Sequence, residues 1–193
     1  MASTARRPSA PSADATDAEV IARVREGDVG ALGQLFDRYE RDVRRVVVRL
    51  GVPTGDADDL VQATFLDVSR SAASYDGRAS ARPWLVGLAI VHVKRRRRSL
   101  ARLAERLARW AREPVPLVRR PDESTELAET AARAQAALDR LSAKKREAFV
   151  LIALEGLTGE EVAAALDIPV ATVWTRLHHA RRELREALAA EDR

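Results

Sequence analysis

The chain has 193 residues, 46% hydrophobic and 32% charged, enough to bury one large core or two small ones while staying in water. It holds no cysteine, which excludes a disulfide framework and a cysteine-ligated zinc site. No apolar run approaches the ~18 residues of a membrane span, and no apolar segment follows Arg6 and Arg7, so a cytoplasmic protein without membrane insertion or secretory signal is expected.

Aromatic residues make up only 4% of the chain, Gly is sparse, and Ala, Leu, Arg and Glu are abundant. With no alternating Val/Ile/Thr run, this composition predicts an all-α protein. The net charge is only +4, yet it is unevenly placed: Lys94, Arg95, Arg96, Arg97 and Arg98 stand in one run. Such a run fits a polyanionic partner, most simply nucleic acid, and equally a solvated basic helix face.

In chain order, residues 1–15 are rich in Ser, Ala and Pro and read as a disordered tail. Thr16 and Glu19 have capping-box spacing and open a short helix that Gly27-Asp28 ends. Leu32, Leu35, Phe36, Tyr39, Val43, Val46, Val47 and Leu50 then follow helical spacing up to Gly51-Val52-Pro53. Asp56, Asp58 and Asp59 begin the next helix, where capping and the helix dipole account for them better than a metal would. Leu60, Val61, Phe65 and Val68 form its apolar side.

Residues 71–81 read as a loop around Tyr75, Gly77 and Arg78. Pro83 opens a strongly apolar helix that runs into Lys94–Arg98 and on to about Arg112. The Pro-containing stretch 113–126 reads as a linker between residues 16–112 and 127–193. An Ala-rich helix follows, then a second one that Ser142 is placed to cap.

Thr158 to Arg182 reads as a helix-turn-helix. Thr158 and Glu161 form a second capping-box pattern, and Asp167-Ile168-Pro169 breaks the first helix. In the second helix Val173, Leu177, Ala180, Leu184 and Leu188 share one stripe. The opposite face carries Thr175, His178, His179 and Arg182, with Trp174 and Arg176 on its flanks. An apolar back and a front of donors and cations suit the DNA major groove. His178 and His179, adjacent in sequence, are not spaced to face one site together. No phosphate-binding glycine loop, nucleophile–base pair or metal cluster stands out, so no catalytic residue, cofactor or metal is expected.

Taken together these segments resemble the sigma-70 family of bacterial RNA polymerase sigma factors, in the short extracytoplasmic-function (group IV) form. Asp56-Ala57-Asp58-Asp59-Leu60-Val61-Gln62 with Phe65-Leu66 looks like the family's polymerase-binding helix. Tyr75-Asp76-Gly77-Arg78 and Trp84-Leu85 look like the promoter-melting segment and its anchoring tryptophan. Leu138–Leu141, Arg146, Glu155-Gly156-Leu157 and Glu161-Val162-Ala163 look like the start of region four, and Thr172-Val173, Arg176-Leu177 and Ala180-Arg181 like its recognition helix.

The resemblance implies two small helical domains, region two and region four, joined by the linker. It implies core RNA polymerase as partner, through its clamp coiled coil and flap, with Asp58, Asp59, Leu60, Gln62 and Phe65 on the docking surface. Promoter DNA is the second implied partner. Tyr75, Gly77 and Arg78 are expected near the melted minus-ten strand, with Lys94, Arg95, Arg96, Arg97 and Arg98 along its phosphates. Thr172, Trp174, Thr175, Arg176, His178, His179, Arg181 and Arg182 are expected at the minus-thirty-five element. The family often pairs with an anti-sigma factor, which is the third expected partner.

The chain departs from the family pattern at several positions. Trp174-Thr175-Arg176 stands where Lys or Arg usually precedes Ser-Arg, and His179 where Arg is usual. Val91 replaces a common Asn, and Ser69 a frequent Trp. Trp174 therefore either faces DNA or packs against its own domain. The competing readings are a stand-alone helix-turn-helix regulator and a sigma-like adaptor without initiation activity; both leave residues 56–65 and the helix from Pro83 to Arg98 unexplained.

Overall fold

The structure, a computed structural model, describes the backbone of residues 15–110 and 126–191 and the side chains of residues 15–106 and 132–187. The expected N-terminal tail, up to residue 14, and the Pro-rich linker, over residues 111–125, lie outside the described residues. Among the described residues every regular element is helical.

The first unit contains α1 (Asp17–Arg25), α2 (Val29–Arg49), α3 (Thr54–Ser71) and α4 (Arg82–Trp110), with a short 3₁₀ turn at Ala72–Ser74. Thr16 caps α1 through the full reciprocal capping box with Glu19. Asp28 caps α2 through the Ala31 N–H and also pairs with Arg23, tying the end of α1 to the start of α2. The capping expected of the aspartates of α3 does not form. Pro53 occupies the N-cap without a side-chain bond, and only Asp56 lies in the first turn. The aspartates are used across helices instead: Asp56 pairs with Arg96 of α4, and Asp58 with Arg44 of α2.

The second unit contains α5 (Glu126–Arg140), α6 (Ala143–Phe149), α7 (Gly159–Leu166) and α8 (Val170–Glu191). Ser142 sits at the N-cap of α6, but its hydroxyl makes no cap bond. The helix expected to continue from α6 widens into a π-helical turn at Val150–Leu154. Thr158 forms its capping box with Glu161, and Asp167 ends α7 in the left-handed conformation at φ 55°. That turn, with Pro169, sets α8 across α7. Val173, Leu177 and Ala180 are buried as the stripe predicts.

The two units pack on each other. α4 lies against α7 and α2 against the π-turn, and the buried apolar residues of both units run together into one cluster. Gly87 lies against Ala165 in this contact; a Cβ there would stand 3.5 Å from Cα of Ala165, at ordinary contact distance.

Candidate nucleic-acid and polymerase interface

On α3 the sequence-predicted docking residues separate by face. Leu60 and Phe65 point into the core, 8% and 3% exposed. Phe65 meets Phe36 of α2 edge-on, with ring centroids 4.9 Å apart. Asp58, Asp59 and Gln62 are exposed. Leu66, four residues after Gln62 on the same face, is 60% exposed, and Phe36 is partly exposed beside the helix. Asp59, Gln62 and Leu66 therefore form a mixed acidic, polar and apolar face. Leu66 belongs to the motif that resembles the polymerase-binding helix but was not among the residues expected on the docking surface; its helical spacing from Gln62, off the buried stripe, places it on the exposed side.

The loop from Asp76 to Ser80 is exposed, Tyr75 at its start is half-buried, and the segment is internally braced. The Tyr75 ring packs on Trp84 at 5.3 Å between centroids, and its hydroxyl donates to the carbonyl of Arg78. Arg78 pairs with Asp76 at 2.6 Å, and Gly77 supplies the positive φ of 76° that the turn needs. Trp84 donates from Nε1 to Ser74 Oγ at 3.2 Å. Burial, helped by the neighbouring carboxylates, holds the Tyr75 phenol above its ordinary range, so the loop keeps a neutral aromatic donor at every physiological pH.

The cationic run does not present one face. Arg96 is held by Asp56. Arg97 reaches the second unit, pairing with Glu147 at 3.1 Å while donating to the Leu50 carbonyl. Arg98 bonds back to the Lys94 carbonyl, while Arg95 and Arg98 remain exposed.

In the second unit, α8 turns Trp174, Thr175, His178, Arg181 and Arg182 to solvent, with Thr172, Arg176 and His179 partly covered. Trp174 does both things expected of it as alternatives: its indole edge lies over Gly159 at the start of α7, and half of it stays exposed. A Cβ at position 159 would come within 2.8 Å of the indole, so Gly159 is the seat on which the ring rests. Thr175 bonds back to the Ala171 carbonyl. The rings of His178 and His179 meet edge-to-face at 5.6 Å despite their adjacency in sequence.

Between the units lies a cleft of about 390 Å³, lined on one side by Asp76, Arg78, Trp84 and Val91 and on the other by Glu161, Ala165 and Asp167. Beside it sits a clamp that the sequence did not reveal. Glu155, carried out of the π-turn, has a side chain only 1% exposed. It is gripped by Arg49 at 2.5 Å, Arg45 at 3.1 Å and Arg82, all from the first unit. Arg82 also donates to the Glu155 carbonyl at 2.8 Å. Asp42 holds Arg45 and Arg82 from behind. Arg146 closes the other end, donating to the carbonyls of Leu138 and Leu50 at helix C-termini where a cation is favoured.

A braced aromatic loop on one helical unit and a donor-bearing helix-turn-helix on the other define a two-domain, all-helical DNA-binding protein. The sigma-70 region 2 profile matches residues 35–114, and the sigma-70 region 4 profile residues 131–184. The ECF RNA polymerase sigma factor SigK of Mycobacterium sp. (strain JLS) is 34% identical over 176 residues, covering 90% of this chain and 91% of that protein. The chain belongs to the sigma-70 family, in its extracytoplasmic-function group, and is an alternative sigma factor that directs transcription initiation. The ECF sigma-E factor of Escherichia coli (strain K12) is 31% identical over 180 residues, covering 88% of this chain and 92% of that one. Among solved structures, CnrH in complex with the cytosolic domain of CnrY has a TM-score of 0.68 at 28% identity, covering 90% of this chain and 97% of CnrH. The sigma factor RpoE of Bartonella quintana, in complex with the anti-sigma factor NepR, has a TM-score of 0.64 at 25% identity, covering 81% of this chain and 96% of its own.

Proposed function

We propose that the first domain, residues 16–112, docks on core polymerase through Asp58, Asp59, Gln62 and Leu66, and captures melted minus-ten bases at the loop of Tyr75, Gly77 and Arg78. Leu60 and Phe65 support that surface from inside. The second domain, residues 127–193, reads the minus-thirty-five element with Trp174, Thr175, His178 and His179. Thr172, Arg176, Arg181 and Arg182 hold its phosphates. The protein acts in the cytoplasm by binding rather than by catalysis.

The observation that carries this reading is the braced loop. A half-buried tyrosine packed at a tilt against a tryptophan, with the exposed guanidinium of Arg78 in the same loop, is a surface on which an unstacked base can rest. Melting then draws on base capture and needs no nucleotide hydrolysis. Lys94, Arg95 and Arg98 can engage phosphate at once; Arg96 and Arg97 must first leave Asp56 and Glu147. An anti-sigma partner is proposed because one relative of this fold, RpoE of Bartonella quintana, was solved with the anti-sigma factor NepR.

In this closed arrangement the minus-ten loop and α7, the first helix of the helix-turn-helix, line one cleft. Elements centred at minus ten and minus thirty-five lie on the order of 85 Å apart along B-form DNA. The domains must therefore part before both can be read. The test is reconstitution: with core polymerase, the full chain should start transcripts from fragments that the holoenzyme itself selects. Binding of DNA alone, with no effect on core polymerase, would instead establish a stand-alone regulator.

A further inference from the structure

We infer that Asp17, at the first turn of α1, is a positioning residue for the minus-ten loop. The inference rests on the assignment of base capture to Tyr75–Arg78 and goes beyond it by naming what holds that loop open.

From sequence, Asp17 is only an acidic residue at a helix start, where the dipole favours it. In the structure its side chain is 8% exposed and is fully occupied far from α1. Oδ2 accepts the backbone N–H of Ala81 at 2.7 Å and the hydroxyl of Tyr39. Oδ1 accepts from Arg38 at 2.9 Å, and Arg38 also donates to the Ala15 carbonyl. Ala81 is the residue on which α4 starts, since its carbonyl receives the Leu85 N–H. Asp17 thus caps α4 from another helix, and two helix N-termini converge on one carboxylate.

The position matters because Ala81 is also where the loop ends. Its entry is fixed by Trp84, through the Ser74 bond and the tilted contact with the Tyr75 ring. Its exit is fixed by Asp17, with Ser80 held between Tyr39 and the Arg82 N–H. Among the described residues the loop crown makes no such bond to the rest of the fold beyond the internal ones already described, and these two stems set its shape. A loop held in its receiving shape loses less freedom when a base binds, and base capture is correspondingly stronger.

The test uses holoenzyme assembled from full-length chain and core polymerase. Its probes are a promoter fragment selected by wild-type holoenzyme, as a duplex and with a pre-melted minus-ten bubble, and a duplex carrying the minus-thirty-five element alone. Asp17→Asn keeps one acceptor for Ala81 and loses the charge; Asp17→Ala loses both. Glu19→Ala, which opens the α1 capping box without touching Ala81, is the control for general loosening of α1. Affinity for the bubble should fall about tenfold in Asp17→Ala, the scale of a lost charge-assisted hydrogen bond, and less in Asp17→Asn. Core affinity and binding to the minus-thirty-five duplex should stay within about twofold, and Glu19→Ala should leave bubble binding unchanged.

Equal losses on all three probes, or a Glu19→Ala loss matching that of Asp17→Ala, would show a merely structural role and overturn the inference. So would unchanged bubble affinity in both Asp17 variants. A wild-type holoenzyme that gains nothing from the bubble would overturn the base-capture assignment itself, which separates the two failures.

Discussion

Removing the Glu155 carboxylate should open the molecule. The side chain is 1% exposed and is held by Arg45, Arg49 and Arg82, which are themselves 41%, 33% and 21% exposed. Losing one partner of a fully buried ion pair costs ~3–5 kcal/mol, mostly through the charge left stranded. Here the arginines can rehydrate, and Asp42 still pairs with Arg45 and Arg82, so the figure must be discounted toward that of exposed pairs. An intermediate value of about 1–3 kcal/mol remains, which shifts the ratio of closed to open forms by ~5- to 150-fold. All of these cations come from the first domain, so the loss falls on the contact between domains rather than on the fold of either. The chain has no cysteine, so single cysteines at exposed Ser69 and Glu160 can carry a donor and an acceptor dye. Energy transfer should be high in the wild type at low salt and fall as salt rises. Glu155→Ala should show low transfer from the outset, with unchanged far-ultraviolet helicity. Identical transfer in variant and wild type across the salt range would refute the clamp.

Further outcomes follow from other contacts. Gly51→Ala should destabilise the closed form, because Gly51 has φ 92° and its missing Cβ leaves the space that Arg146 enters; thermal unfolding and the dye pair read this together. Leu66→Asp should lower core affinity at least about tenfold without lowering the melting temperature, since Leu66 is 60% exposed, whereas Phe65→Ala should cost ~3–5 kcal/mol of stability. The only tyrosines, Tyr39 and Tyr75, are both pushed above their ordinary value near 10, first by burial. Their phenolate absorbance should appear later than in the unfolded chain. Because the folded values are raised, the stabilisation they report is present below pH ~10 and is lost as pH rises through the folded values. Asp17→Ala should bring Tyr39 back down, since the hydrogen bond to Asp17 is the next largest cause of its shift.

The helices and their buried stripes could be read from residue order because each signal is local. Thr16 with Glu19, Thr158 with Glu161, and Pro169 act within a turn of themselves, and the spacing of Val173, Leu177 and Ala180 needs no partner to be recognised. Which residues of α3 are exposed was only half legible, because the motif marks a segment, not the side of the helix that faces outward. Leu60 and Leu66 look alike in sequence and differ only once α2 and α4 cover one of them. Asp17, Glu155 and Arg146 were illegible in their roles, since each acts on atoms 64, 73 or 96 residues away. The π-turn that delivers Glu155 has no sequence mark comparable to a proline or a cap.

These long-range pairs give the charge distribution a second meaning. Read along the chain, the run Lys94–Arg98 fits a polyanionic partner or a solvated basic face, and Arg45, Arg49 and Arg82 carry no signal at all. In the fold, many of these cations are already spent on carboxylates: Arg97 on Glu147, Arg96 on Asp56, and Arg45, Arg49 and Arg82 on Glu155. Under the proposed phosphate contacts, DNA would compete with Asp56 for Arg96 and with Glu147 for Arg97. Salt acts on both sides of that competition, since it weakens the partly exposed clamp and also weakens phosphate binding. Raising salt should open the free chain while reducing its grip on DNA alone. Under the proposed docking, polymerase eases the conflict, because Asp59, Gln62 and Leu66 of α3 are exposed and are not the residues that grip Glu155. In Glu155→Ala the opening cost is removed, so DNA binding by the free chain should rise at low salt while core affinity through α3 stays the same. A drop in both would show that the clamp arginines serve docking as well as closure.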